Sequence, residues 1–428
     1  MTATWAPVVG SPPDSASGAQ GRAPKLAEGV QLLGEYQGSG TIQAQHLVRR
    51  RDGGMVAVSR LLYLVVSEID GHRSIGEIAA RVTPHMGRTV SAGNIAYLVD
   101  QKLRPLGVME GETRSPRAGT RPVLALSSRR AVVPDRLVRS ISGRLCFLFI
   151  PAVVAVVLAA FSAMDALLLI GPGSAFGIKE VFRQPSLLVL ICLLTVLAAG
   201  FHELGHATAG RYGGAEPGVI GVGIYLIWPA FFSDLTDSYR LGRRGRLRAD
   251  LGGVYFNIVF MLLAGGFYAV TGLHWLVLLI VLQHVAVAQQ FLPFLRLDGY
   301  YLVSDLAGVP DLFGRIGPIL SSLLPGHEPG RTVLELKPKV RVLVTAWVLT
   351  TVTLLTASLG LLLVYLPRML AVTAAFARTQ AGLLSSLTRG KAVGAGLLGG
   401  LRLAALAIPL TGLTTMVARM IRRRPRRS

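Results

Sequence analysis

His202, Glu203 and His206 are spaced for metal chemistry. They stand in His202-Glu203-Leu204-Gly205-His206, at the end of an uncharged apolar run from Ser186 to Phe201. On a helix, positions four apart project from one face, so both imidazoles point the same way. Two neutral imidazoles at that spacing can hold one zinc ion, and the carboxylate beside the first can take a proton from water at the metal. A catalytic zinc needs a third protein ligand and an open position. The candidate is Asp298, in Leu297-Asp298-Gly299-Tyr300-Tyr301 after another apolar run. Its negative charge would offset part of the cost of a dication in low-dielectric surroundings. The competing reading of Asp298 is a helix-terminal turn residue before Gly299. Ionisable residues at the end of a membrane helix are expensive and usually functional, which favours the metal.

Membrane helices must carry these residues. Of 428 residues, 51% are apolar and 16% charged, and mean hydropathy is +0.53. With several long uncharged runs, this indicates an integral membrane protein rather than a large soluble core. Leu145–Met164, Ser186–Phe201 running on into the histidine motif, Leu251–Leu273, Leu273–Leu295 and Val342–Pro367 are each long enough to cross a bilayer, at roughly 20 residues per span. A sixth, Val393–Val417, carries Arg402. Val219–Ser233 is apolar but too short, and Gly221, Gly223 and Pro229 interrupt it. It reads as a re-entrant hairpin packed inside protein.

The formal net charge of +21 would suggest nucleic acid in a soluble protein. Here the basic residues flank apolar runs, no aromatic-basic module is visible, and orientation in an anionic membrane is the better reason. With the N-terminus in the cytoplasm, the inside segments hold 23 Lys and Arg and the outside segments 6. Both termini are therefore expected in the cytoplasm, and both motifs at cytoplasmic ends of their spans. The final run, Arg422–Arg424 and Arg426–Arg427, reads as an anchor to that surface. Cys146 and Cys192 lie in apolar segments without metal-type spacing and read as small buried hydrophobes.

Residues 1–28, rich in Gly, Pro, Ser and Ala with no apolar core, read as a disordered tail without a signal peptide. Residues 29–110 read as a small α+β domain. His46–Arg50 and Met55–Ser59 flank the hairpin signature Asp52-Gly53-Gly54. Arg60–Asp70, Ser74–Val82 and Ser91–Leu103 have helical periodicity, with Ser74 and Glu77 spaced as a capping box. Residues 111–144 are a linker followed by a basic amphipathic helix, Arg129–Arg144, expected on the membrane surface. Residues 145–315 would form the metal-bearing core and 316–428 the C-terminal helices and basic tail.

The pattern Leu47-Val48-Arg49-Arg50-Arg51-Asp52-Gly53-Gly54, Leu61–Val65, Ile69-Asp70-Gly71 and Ile75–Ala79 resembles the PqqD-like winged-helix fold. That resemblance implies recognition of a precursor peptide's leader by strand addition at a sheet edge. The histidine motif, Pro229–Ser238 and Pro293–Asp305 together resemble the site-2-type intramembrane zinc metalloproteases, in particular the peptide zinc metalloproteases of bacterial peptide-maturation clusters. This second resemblance covers about residues 145–315. It implies a multi-pass helical membrane protein with one zinc on His202, His206 and Asp298, and Glu203 as general base. It also implies a small peptide or membrane-anchored substrate. The family usually has Asn where this chain has Gln290, three residues before Pro293. Asn257 matches the polar residue that members carry on the next span. Both are substrate or oxyanion candidates, with interhelical hydrogen bonding an equal reading of Asn257. His284, Gln283 and Gln289 read as interhelical. Asp234 and Asp237 read equally as the aqueous mouth of the site or as solvated turn residues.

The expected function is cleavage of a ribosomally made precursor peptide, with membrane lipid around it and an exporter or modifying enzymes as possible partners, and no nucleic acid. Two alternatives stand beside it: release of a membrane-tethered regulator such as an anti-sigma factor, and a non-catalytic peptide-binding component of an export or immunity system. The intact Glu203 argues against the last, because a scaffold has no chemical need for a base there.

Overall fold

The computed structural model describes residues 4–5, 23–50, 55–110, 127–170, 180–181, 184–225, 228–309 and 311–388. The hairpin turn at 52–54, most of the linker and the sixth apolar run, 393–417, lie outside them.

The N-terminal domain is built on strands β1 (Thr4–Trp5), β2 (Gln31–Glu35), β3 (Gln45–Arg49) and β4 (Met55–Ser59), in the order β1-β4-β3-β2. β3 and β4 pair antiparallel, as the sequence implies; β2 adds a third antiparallel strand that it does not announce. Helices α1 (Arg60–Glu68), α2 (Ile75–Met86) and α3 (Ala92–Leu98) follow, each with a serine N-cap. Ser74 and Glu77 form the reciprocal capping box that their spacing predicts. The third helix winds on to Leu103 as a π-turn. The tail joins the fold earlier than its composition suggests, because Lys25 and Ala27 pair by backbone with Glu110 and Val108. Val48, Val56, Val65, Ile78, Val82 and Ile95 pack one core between sheet and helices. Ile78→Ala is expected to cost about 2–5 kcal/mol through lost burial and the cavity left. Hydrogen exchange at β3 and β4 in the full-length protein would read it as a fall of that size in opening free energy.

The basic segment expected as one helix splits in two. Ser127–Val133 is strand β5, and α4 begins only at Asp135 and runs to Leu145. Val132 and Val133 favour extended backbone, and the residue before Pro134 is disfavoured in the helical region. β5 pairs with β6 (Ile220–Tyr225), which pairs with β7 (Trp228–Ser233). The apolar stretch 219–233 is therefore a β-hairpin. Pro229, which has no N–H to donate, sits on the outer strand of this sheet, where the loss matters least.

Among the described residues, four helices are long and apolar enough to cross a membrane: α5 (Pro151–Ile170), α6 (Pro185–Tyr212), α7 (Arg243–Thr271) and α12 (Pro338–Thr388). Their exposed faces are rows of Leu and Val, such as Leu188, Val189, Leu193 and Leu197 on α6. In water that surface would be an aggregation liability; in lipid it is the expected solvent-facing surface. The expected span 273–295 is shorter than its apolar run. It becomes α8 (Trp275–Gln290), 16 residues long, bounded by Gly272 in the left-handed region and by the turn that Pro293 imposes. Helices α9 (Asp298–Ala307), α10 (Phe313–Ser322) and α11 (Arg331–Leu334) complete the body. Tyr300 stacks on Phe313 at 4.9 Å within a cluster closed by Trp347 of α12.

Candidate metal centre

Helices α6 and α7 approach more closely than ordinary side chains permit. A Cβ on Gly205 would stand 2.8 Å from Cβ and Cγ of Phe256, and one on Gly252 would stand 2.7 Å from the Ala209 Cβ. Glycine at these positions lets the backbones close up, which buries His202 and His206 against α7. Their Nε2 atoms lie 3.1 Å apart. Asp298 opens α9, and its Oδ2 lies 3.0 Å from His202 Nε2 and 3.3 Å from His206 Nε2. The sequence placed these three residues on two separate motifs, and the fold brings them to one point.

The protonation pattern follows from the second ring nitrogens. His206 Nδ1 is 2.8 Å from the carbonyl oxygen of Ala249, which can only accept, so Nδ1 carries the proton and the neutral ring offers its Nε2 lone pair. The Gly253 N–H also stands 3.3 Å from this nitrogen and would donate to it only in the other tautomer. Asp298 Oδ2 and His202 Nδ1 are buried without a hydrogen-bond partner among the described residues. In so buried a space the carboxylate charge needs a positive partner, which a metal ion among the three atoms, or a proton on either imidazole, would supply.

The spacing also fits zinc. Ligand atoms about 2.0–2.1 Å from one ion and tetrahedrally arranged are roughly 3.3 Å apart, close to the three separations here. Room is left by Gly253, whose missing Cβ would stand 2.5 Å from both Nε2 atoms. Glu203 follows His202 on α6 and is half-buried.

Asp298 is held by its neighbours. Gly299 is packed so tightly that a Cβ would lie 2.7 Å from Phe291 Cα and 3.0 Å from the Gln290 carbonyl oxygen. Arg296 N donates to the Tyr225 hydroxyl at 2.8 Å, tying the segment before Asp298 to the end of β6. The Arg296 guanidinium lies over the Tyr300 and Phe313 rings.

The remaining candidates divide. Asn257 is buried on the face of α7 one turn beyond Gly253, and Gln290 ends α8; neither hydrogen-bonds to the three ligands among the described residues. His284 is interhelical, with Nε2 3.0 Å from Asp165 Oδ2 of α5. Asp237 is no residue of the site's mouth. It accepts from Glu216 N at 2.9 Å and faces Arg49 and Arg240, in a charged cavity of about 230 Å³ between the N-terminal domain and the membrane body. Asp234 caps its own turn through Thr236. Sequence reasoning missed the roles of Gly205, Gly252 and Gly253. The signal was there, since glycines at 252 and 253 inside an apolar helix announce a close approach.

No protein-family model, curated protein or solved structure matches the chain.

Proposed function

We propose that this protein is an intramembrane zinc endopeptidase of the site-2 type that cleaves a ribosomally made precursor peptide, recruited through its N-terminal domain. The observation that carries the reading is the convergence of two buried imidazoles and the half-buried Asp298 carboxylate around a space that Gly253 leaves open. His202, His206 and Asp298 would hold the zinc. When bound, it supplies an electrophile for the scissile carbonyl and lowers the pKa of water. Glu203 takes the proton from the attacking water and passes it to the leaving amine. Ala249 fixes the His206 tautomer so that Nε2 keeps its lone pair. The apolar helices keep bulk water from the peptide, and the edge of the β5–β7 sheet offers backbone groups to an extended substrate. The distribution of Lys and Arg supports cytoplasmic termini in the cell membrane.

The test is a mass-spectrometric peptide profile of the native host's membranes and medium, wild type against Glu203→Ala. The expected result is one peptide that is longer, or keeps its leader, only in the variant. Identical profiles with normal expression of the variant would transfer the reading to a non-catalytic peptide-binding component.

A further inference from the structure

The N-terminal domain is built into the membrane body, and the join leads to the metal centre. Residues 36–42 run along the start of α7, the end of α9 and the start of α12. Gly40 N donates to Gly308 O at 3.0 Å, Lys337 N to Gly40 O at 2.9 Å and Ile42 N to Glu335 O at 2.8 Å. Gly40 has no room for a side chain, since a Cβ would press on Val309 and Val340 at 3.0 Å.

Beneath this strap lies Arg246, 1% exposed. Its Nε donates to Asp305 Oδ1 at 3.0 Å, its Nη1 to Leu241 O at 2.8 Å and its Nη2 to Gln37 O at 3.0 Å. Tyr36 lies across the guanidinium at 4.5 Å and donates its hydroxyl to the same Asp305 oxygen at 3.1 Å. Burial, reinforced by the Asp305 charge, pushes the Tyr36 hydroxyl well above its ordinary range, so it stays a donor. A buried arginine with three partners, the Asp305 carboxylate, which also meets the buried carboxyl of Asp250, and an aromatic lid form one network.

The two charged members sit on the helices that shape the metal centre. Arg246 is three residues before Ala249 on α7, the residue whose carbonyl orients His206. Asp305 is seven residues after Asp298 on α9. Seven residues are two turns, so the two carboxylates share a face of that helix about 10 Å apart. Fixing Asp305 fixes the rotation of α9 about its axis, and with it the direction of Asp298.

We infer that Arg246 and Asp305, closed over by Tyr36, form a clamp that positions Asp298 and His206, so that the metal centre is assembled only while the N-terminal domain is docked. The inference rests on the metalloprotease reading and deepens it. The peptide-recruiting domain is then part of the catalytic architecture, and whatever loosens its strap loosens the third metal ligand. Arg246 and Asp305 are positioning residues, acting through α7 and α9 without touching substrate.

The experiment uses the purified full-length protein in detergent, stripped of metal and titrated with Co²⁺ alone against a competing chelator. It reads affinity and the visible absorption band of the bound ion. Asp305→Asn and Tyr36→Phe are compared with Arg104→Ala, which breaks an exposed ion pair with Asp100 within the N-terminal domain and leaves the strap untouched. Asp305→Asn is expected to weaken Co²⁺ binding about 10-fold or more and to change the band, because α9 would no longer hold Asp298 toward the imidazoles. Tyr36→Phe, which removes one oxygen and keeps the ring, is expected to act in the same direction by a smaller factor. Arg104→Ala is expected to match wild type. Wild-type affinity and spectrum in a folded Asp305→Asn, or in Tyr36→Phe should the former not fold, overturn the clamp and leave the protease reading standing. A wild-type protein that binds no Co²⁺ overturns both.

Discussion

Gly253→Ala is expected to abolish metal binding and peptide cleavage, while Gly266→Ala, further along the same helix, leaves both intact. The two substitutions add the same methyl group to the same helix. At 266 a Cβ meets nothing within 4 Å, whereas at 253 it would stand 2.5 Å from Nε2 of both His202 and His206. An ordinary carbon contact needs at least about 3.5 Å. The gap therefore closes only if the imidazoles rotate or α7 backs away by about 1 Å. Neither comes cheaply. Rotation breaks the His206 bond to Ala249, and retreat opens the seam that Gly205 and Gly252 let close. A misplacement of that size costs on the order of 100-fold in positioned chemistry, and the metal ligands themselves are what moves. Metal content of the purified variants, by elemental mass spectrometry, should fall to background for Gly253→Ala and match wild type for Gly266→Ala. Thermal unfolding would show that both variants fold. Metal retained in Gly253→Ala would mean that the open space beside the imidazoles is not where the ion sits.

What could be read from the sequence, and what could not, follows from the range of the forces involved. The histidine pair and the Leu-Asp-Gly segment are local patterns, each tied to a helix end, and helix periodicity carries them into space unaided. Capping at Ser74 and the pairing of β3 with β4 are local too. The strand Ser127–Val133 was missed because its partner lies about 90 residues on. Its own residues, rich in Arg and Ser, resemble an exposed amphipathic helix once the pairing is out of sight. The stretch 219–233 reads as re-entrant without showing its strands for the opposite reason: it is apolar throughout, and periodicity alone cannot separate a buried strand from a short membrane segment. The Tyr36–Arg246–Asp305 network joins residues more than 200 positions apart, and nothing near any of them names the others. Asp305 stood out only through its place after the Leu-Asp-Gly segment, and its partner needed the fold.

Glu203→Gln and Asp298→Ala are both expected to lose activity but to differ in zinc content, and the contrast separates holding a metal from using it. Asp298 Oδ2 is one of three atoms converging within 3.0–3.3 Å. Removing it leaves two imidazoles, and the charge that compensates a buried dication goes with it. Asp298→Ala should therefore purify without zinc and without activity. Glu203 lies on the same helix, adjacent to His202 in sequence, but is no member of the converging triplet. Glu203→Gln keeps its size and much of its hydrogen bonding and loses only the capacity to take a proton. It should purify with about one zinc per chain and lose about 100- to 10,000-fold in cleavage rate, the usual worth of a general base. Assay of both variants on the precursor peptide that accumulates with Glu203→Ala would give rate and stoichiometry together. A Glu203→Gln protein that loses its zinc would make Glu203 a ligand. One that keeps both zinc and full rate would remove the base from the mechanism, because the side chain nearest the ligands in sequence would then carry no proton.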